Sequence, residues 1–214
     1  MGNKGKAGCG CLIGILIIIM VLAGALMHPM SLKFIAKQFT YADKIVKADA
    51  VFVPRFAEDR GGSLYAEAFR EYFAGNAKLI YVEDDDILGM KVSELVSKMA
   101  RERGARENII RAIDPGIETS QKDNILKEKL KATGNKKVIV LVPEYASRRY
   151  RDIFDHPRGE TLYMVKPVQV PYFQKAKWWH DPSSRSLVAR EFSTIVTYYY
   201  ETLRNNFSGK YRKE

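Results

Sequence analysis

The sequence predicts an α/β domain, a parallel sheet of about five strands in three layers, behind a hydrophobic N-terminal helix. Three observations predict it. Short β-rich runs alternate with longer helical stretches from residue 48 onward. The β-rich runs are apolar on both faces or nearly so, as in strands buried between two helical layers. Glycines follow several helical stretches where a left-handed stop is needed. Repeated β–α alternation gives a doubly wound sheet, whose ligands sit at the carboxyl ends of the strands.

Residues 1–10 form a basic tail containing Lys4 and Lys6. Residues 11–27, CLIGILIIIMVLAGALM, hold no charge and no strongly polar side chain. At 1.5 Å per residue they reach about 25 Å, the low end of a bilayer core. A buried soluble helix of that length would show a polar stripe, and this run shows none. It reads as a transmembrane signal anchor. The competing reading is a signal peptide cleaved at Ala23-Gly24-Ala25, but the apolar core exceeds the usual ~7–15 residues. Both readings export the remainder of the chain, and the anchor reading holds it outside the plasma membrane on a single pass.

Residues 28–47 read as a juxtamembrane amphipathic helix. Pro29 breaks continuity with the anchor, and Leu32, Ile35, Phe39, Ala42 and Val46 recur at helical spacing. Either its lysines face anionic headgroups, or its apolar side packs on the domain that follows. That domain covers 48–207, and a loose polar tail covers 208–214. Its predicted strands are 50–54, 78–82, 109–113, 137–142 and 162–165. Its predicted helices lie near 62–75, 88–103, 120–132, 146–155 and 186–204. Gly75, Gly104 and Gly134 would stop the first three.

The chain of 214 residues carries 35 basic and 25 acidic side chains, a formal net charge of +10. All 25 acids and 33 of the bases follow residue 27, so the exported part is +8. Anionic lipid, polymer or nucleotide would answer that charge. Nucleic acid is not expected, because the charge is scattered and the domain is exported. The only cysteines are Cys9 and Cys11, which excludes a disulfide scaffold and leaves them as acylation candidates.

Several segments together resemble the YdcF/SanA/ElyC-like family, over about 45–204. They are Ala48–Val53 (ADAVFV), Ala68–Ala77 (AFREYFAGNA), Ser93-Glu94 with Met99 and Gly104, Ser120–Asn124 (SQKDN), and Val140–Arg149 (VLVPEYASRR). Trp178-Trp179 before a Tyr-rich last helix also fits. The resemblance implies a Rossmann-like domain, anchored by one N-terminal helix and exported, with a role in the cell envelope. The chain departs from the family pattern at three loops. Pro54–Ala57 replaces a glycine-rich turn, Glu83–Asp86 replaces a glycine pair, and Ala146 stands where the family has histidine. Side chains in the first loop obstruct close approach of a phosphate to backbone amides. The family site is therefore lost here or rebuilt with charged groups.

Candidate site residues follow from strand ends and charge. Glu83, Asp84 and Asp86 could hold a hard divalent cation, which prefers oxygen ligands, or could cap the next helix. Asp84, Asp85 and Glu144 are the candidate catalytic carboxylates. Arg148 and Arg149, with Arg55 and Arg60 in the first β–α loop, are candidate anion contacts, since arginine forks suit phosphate and carboxylate. Ser120 and Asp123 complete the set, and their S-x-x-D spacing also reads as a helix cap. His28, His156 and His180 have no metal spacing, and neither H-E-x-x-H nor G-x-S-x-G occurs. The expected function is a membrane-anchored envelope protein binding an anionic ligand, such as a lipid-linked sugar phosphate or cell-wall precursor. The alternatives are a hydrolase or transferase on a phosphorylated or nucleotide-like substrate, and a catalytically silent interaction module.

Overall fold

The computed structural model describes residues 6–87, 89–106, 108–116, 122–155 and 161–210. Helices α1 (Lys6–Met27) and α2 (Pro29–Phe39) precede the domain. The domain runs β1 (Ala50–Val53), α3 (Ser63–Phe73), β2 (Leu79–Glu83), β3 (Asp86–Ile87), β4 (Met90–Lys91) and α4 (Val92–Glu102). It continues with β5 (Ile110–Ile113), α5 (Lys122–Ala132), β6 (Lys137–Pro143), α6 (Ser147–Ile153), β7 (Leu162–Val168) and α7 (Pro182–Lys210).

Five strands make one sheet in the order β5-β2-β1-β6-β7, and every pairing is parallel. The chain proceeds outward from β1 to β2 and β5, then returns across β1 to start β6 and β7. The order therefore reverses between β1 and β6, which is where doubly wound sheets open a ligand crevice. The α/β architecture and the five parallel strands match the sequence expectation.

Burial on both faces follows from the strand sequences. All four β1 residues are buried. Val51 and Val53 pack into a core with Leu64, Ile80, Val96 and Ile139 under α3 and α4. Phe52 points the other way, into a core with Leu126, Val140, Tyr150 and Phe154. A side chain such as Phe52 contributes about 1.5–3 kcal/mol by burial. The two layers of helix are thus specified by single-residue alternation along a strand with no polar position. Gly75, Gly104 and Gly134 take φ of 73°, 74° and 75°, as expected of helix stops.

The structure corrects several boundaries. The helix expected over 28–47 ends at Phe39, and 40–49 contains no regular helix or strand. Asp43 bonds the edge strand instead: its N–H donates to the Val165 carbonyl at 3.0 Å, and its carboxylate accepts from the Val165 N–H at 2.8 Å. The α2 face of Leu32, Ala36 and Phe39 is buried on the domain, whereas Met30 and Phe34 stay exposed. The helix expected from 88 begins at Val92, because β3 and β4 pair first across a turn containing Gly89 at φ 81°. α7 starts at Pro182, not 186, since the Asp181 carboxylate accepts the Ser184 N–H at 2.7 Å and proline suits a first helical position. It also runs to Lys210, so 208–210 are helical rather than loose.

Among the described residues no single helix is long and apolar enough to cross a membrane. The segments Gly14–Ala25 and Pro29–Phe39, bent by 63°, have the length and composition as a pair. Ile15 through Leu22 are all about half exposed or more.

Candidate functional site

The carboxyl ends of β1, β2 and β6 bring together many of the residues singled out from sequence. Glu83 closes β2 with a side chain that is only 1% exposed. Its Oε2 accepts the Arg55 N–H at 2.8 Å, and its Oε1 meets Lys122 Nζ at 2.6 Å. One carboxylate therefore joins the end of β2, the turn after β1 and the start of α5. The Arg55 side chain pairs with Asp85.

The Arg149 guanidinium lies in the crevice between β1 and β6. It pairs with Asp123 from α5, and its Nε donates to Glu191 Oε1 of α7 at 2.7 Å. The Tyr150 hydroxyl donates to the other Asp123 oxygen at 3.0 Å. Burial alone would lower the Arg149 pKa, but Tyr150, Glu191 and Asp123 more than offset it and raise it. Burial pushes the Glu191 carboxyl above the usual range, and Arg149 opposes that shift only in part. Burial drives the Tyr150 phenol well upward. Arg190 pairs with Glu58 at the rim. These groups line a cleft of about 220 Å³, together with Phe56 and Tyr145.

The phosphate position of a doubly wound fold lies at the amino end of α3. Here Gly62 (φ 67°) precedes the helix, and the Asp59 carboxylate accepts the Ser63 and Leu64 N–H groups, both at 2.8 Å. The chain's own acid occupies the place where a phosphate would dock.

The four acids Glu83 to Asp86 do not share a centre. Glu83 is buried in the latch just described. Asp84 accepts the Ser93 N–H at 2.9 Å and caps α4. Asp85 pairs with Arg55, and Asp86 pairs with Lys91 across the β3–β4 hairpin at 3.2 Å. Among the described residues no three His, Cys, Asp or Glu side chains converge as a metal site. Arg148 points away from Arg149: its Nε reaches the Gln38 carbonyl at 3.4 Å, and its guanidinium covers the Tyr41 ring. Arg60 is exposed on the first loop. Ser120 and His156 lie outside the described residues.

A larger cavity lies elsewhere, about 760 Å³ between α2 and the segment 169–177 that follows β7. Lys33, Lys175 and Lys177 line it, with Glu144 as the one acid. Lys175 Nζ stands 3.6 Å from Glu144 Oε2. Ala36, Val170 and Phe173 supply apolar wall. Trp178 Nε1 donates to the Leu32 carbonyl at 2.9 Å and so ties this segment to α2.

Sequence reasoning missed Lys122, Glu191 and Arg190, and it missed the lysine cavity. A signal existed for Lys122, which adjoins Asp123 in SQKDN, and for the KAKWW run at 175–179. No protein-family profile, curated protein or solved structure matches the chain.

Proposed function

We propose that the chain is a membrane-anchored protein, held by residues 11–27 with its domain outside the plasma membrane, that binds an anionic ligand at the membrane surface. The carrying observation is the position and charge of the lysine cavity. Lys33 sits one turn into α2, next to the break with α1, and three lysines line the cavity with a single carboxylate, Glu144, which pairs with Lys175. A phosphate entering that cavity would meet unbalanced positive charge, and its apolar chain would meet Ala36, Val170 and Phe173. A lipid-linked sugar phosphate or related envelope precursor has that combination of anionic head and apolar tail. Resemblance to the YdcF/SanA/ElyC-like family supports an envelope role.

Arg55 and Arg149, expected as anion contacts, fit less well, because buried or half-buried carboxylates already answer them. A hydrolase or transferase using Asp84 or Asp85 would require a carboxylate free to act. Asp84 is engaged in capping and Asp85 in an ion pair.

The test is native mass spectrometry of the full chain in detergent with a polyprenyl phosphate and the matching polyprenyl alcohol. The phosphate should be retained and the alcohol lost. A Lys33→Ala and Lys175→Ala double variant should bind both poorly. Equal retention of phosphate and alcohol by the native chain would refute the reading.

A further inference from the structure

The crevice between β1 and β6 differs in chemistry from the lysine cavity, and the two lie on either side of the Glu144-Tyr145 turn. Glu144 lines the cavity, and Tyr145 lines the crevice. We propose that the crevice is a second binding site, for an uncharged, hydroxyl-rich ligand of one or two sugar-sized rings. This does not rest on the anionic ligand of the other cavity.

Charge balance excludes an ionic occupant. Each cation at the crevice has its acid: Arg149 has Asp123 and Glu191, Arg190 has Glu58, and Lys122 has Glu83. An anion or cation entering here would have to displace a member of a pair. At Arg149, Glu191 and Glu83 that leaves a buried charge without compensation, which is strongly unfavourable; the rim pair Arg190–Glu58 is more exposed and opposes an ion less. A neutral ligand need not break any pair. Its hydroxyls can donate to the remaining lone pairs of the carboxylates and accept from the remaining N–H groups of the guanidinium. Arginine and carboxylate held rigidly together offer both kinds of partner side by side, as vicinal hydroxyls require.

The walls point the same way. Phe56 stands edge-on to Tyr145, at 6.2 Å between centroids, and tilted against Tyr150 at 5.7 Å. Phe56, Tyr145 and Tyr150 all line the crevice; the two tyrosines are buried, so the half-buried Phe56 supplies the ring surface against which the C–H face of a sugar can lie. Tyr145 is 2% exposed. Its hydroxyl and that of Tyr172 neighbour each other, yet neither reaches a hydrogen-bond partner at good geometry. A buried hydroxyl left without a partner is costly, and a ligand hydroxyl is one means of satisfying it.

The size fits as well. Beyond Asp123 and Arg149 the crevice continues into a cleft of about 280 Å³ along α7, lined by Ser193, Thr194, Thr197 and Asn124. These are neutral hydroxyl and amide groups, and the charged side chains beside them are Asp123, Arg149, Arg190 and Glu201. The two clefts together reach the roughly 300–1,000 Å³ usual for small-ligand sites.

The experiment is saturation-transfer NMR on the full chain in a sugar-free detergent, with glucose, N-acetylglucosamine and a β-linked disaccharide of each at millimolar concentration. Ring protons of at least one uncharged sugar should receive saturation. Tyr145→Phe removes only the unpartnered hydroxyl and should weaken binding by about three- to tenfold while thermal stability holds. Thr197→Val, on an exposed face of α7, should selectively weaken the disaccharide. Lys175→Ala in the other cavity should change neither. Absence of saturation transfer from every sugar overturns the proposal. So does undiminished transfer in a Tyr145→Phe and Thr197→Val double variant.

Discussion

Arg149 and Glu191 meet inside the molecule, Nε to Oε1 at 2.7 Å, with side chains 11% and 6% exposed. This pair joins α6 to α7 across the reversal point of the sheet. Removing one partner of a buried pair typically costs about 3–5 kcal/mol, because the survivor remains desolvated and uncompensated. Arg149 keeps Asp123 when Glu191 is lost, so Glu191→Leu should fall at the lower end of that range. Arg149→Met strands two carboxylates and should cost more. Urea unfolding followed by circular dichroism checks the order. Equal losses in the two variants would show that Asp123 shares little of the charge.

The Lys166 ammonium makes a second cluster, with Glu67 at 2.7 Å and with Glu71. Burial opposes the Lys166 charge, but its hydrogen bonds to Glu67 and Glu71 prevail and raise its pKa. Burial likewise opposes the Glu67 charge, but bonds from Lys166 and Arg70 prevail and lower its pKa. The signs differ at the two ends of the pH scale. The Glu67 contribution is complete above its ordinary value of 4.5 and is lost as pH falls through its lowered value. The Lys166 contribution is complete below its ordinary value of 10.5 and is lost as pH rises through its raised value. Thermal unfolding should therefore show a mid-pH plateau that Lys166→Met lowers, with the two curves converging at both extremes. A constant offset between them at every pH would contradict this.

Asp84 holds the amino end of α4 through the Ser93 N–H. Loss of such a cap costs about 1 kcal/mol, with a range of about 0.5–2. Asp84→Ala should therefore lower the unfolding temperature modestly, and by the same amount with Mg²⁺, with Ca²⁺ or with a chelator. A metal-dependent stabilisation of the native chain, abolished by Asp84→Ala, would instead restore the cation reading of the acidic run.

What was legible in the sequence depended on whether neighbours in the chain or distant residues decide the outcome. β1 and β6 were visible because Ala50–Val53 and Val138–Val142 are apolar at every position, which only a strand buried on both faces tolerates. The β3–β4 hairpin was not, because Ile87 and Met90 remain exposed and each strand has two residues. Arg148 and Arg149 looked like one cluster by adjacency. Successive side chains on a helix turn by about 100°, so Arg149 enters the crevice while Arg148 reaches back to Gln38. The lysine cavity joins Lys33 on α2 to Lys175 beyond β7, and no local pattern records that approach.

The proposed placement of the domain against a membrane is testable with its own fluorophores, since Trp178 and Trp179 are the only tryptophans. Trp178 is bonded to the Leu32 carbonyl near the start of α2. Met27, Met30 and Phe34, which flank Leu32 in the chain, are each more than 60% exposed. With residues 11–27 in the bilayer, these apolar side chains enter the interfacial zone, where tryptophan rings also settle. In nanodiscs, lipids brominated near the headgroup end of the acyl chain should quench the tryptophan emission more than lipids brominated near the chain end. Met30→Ser and Phe34→Ser together should reduce that quenching, because the domain loses its apolar contact and swings away on the α1–α2 break. Emission insensitive to every brominated lipid would place the tryptophans in water and leave the lysine cavity away from the membrane surface.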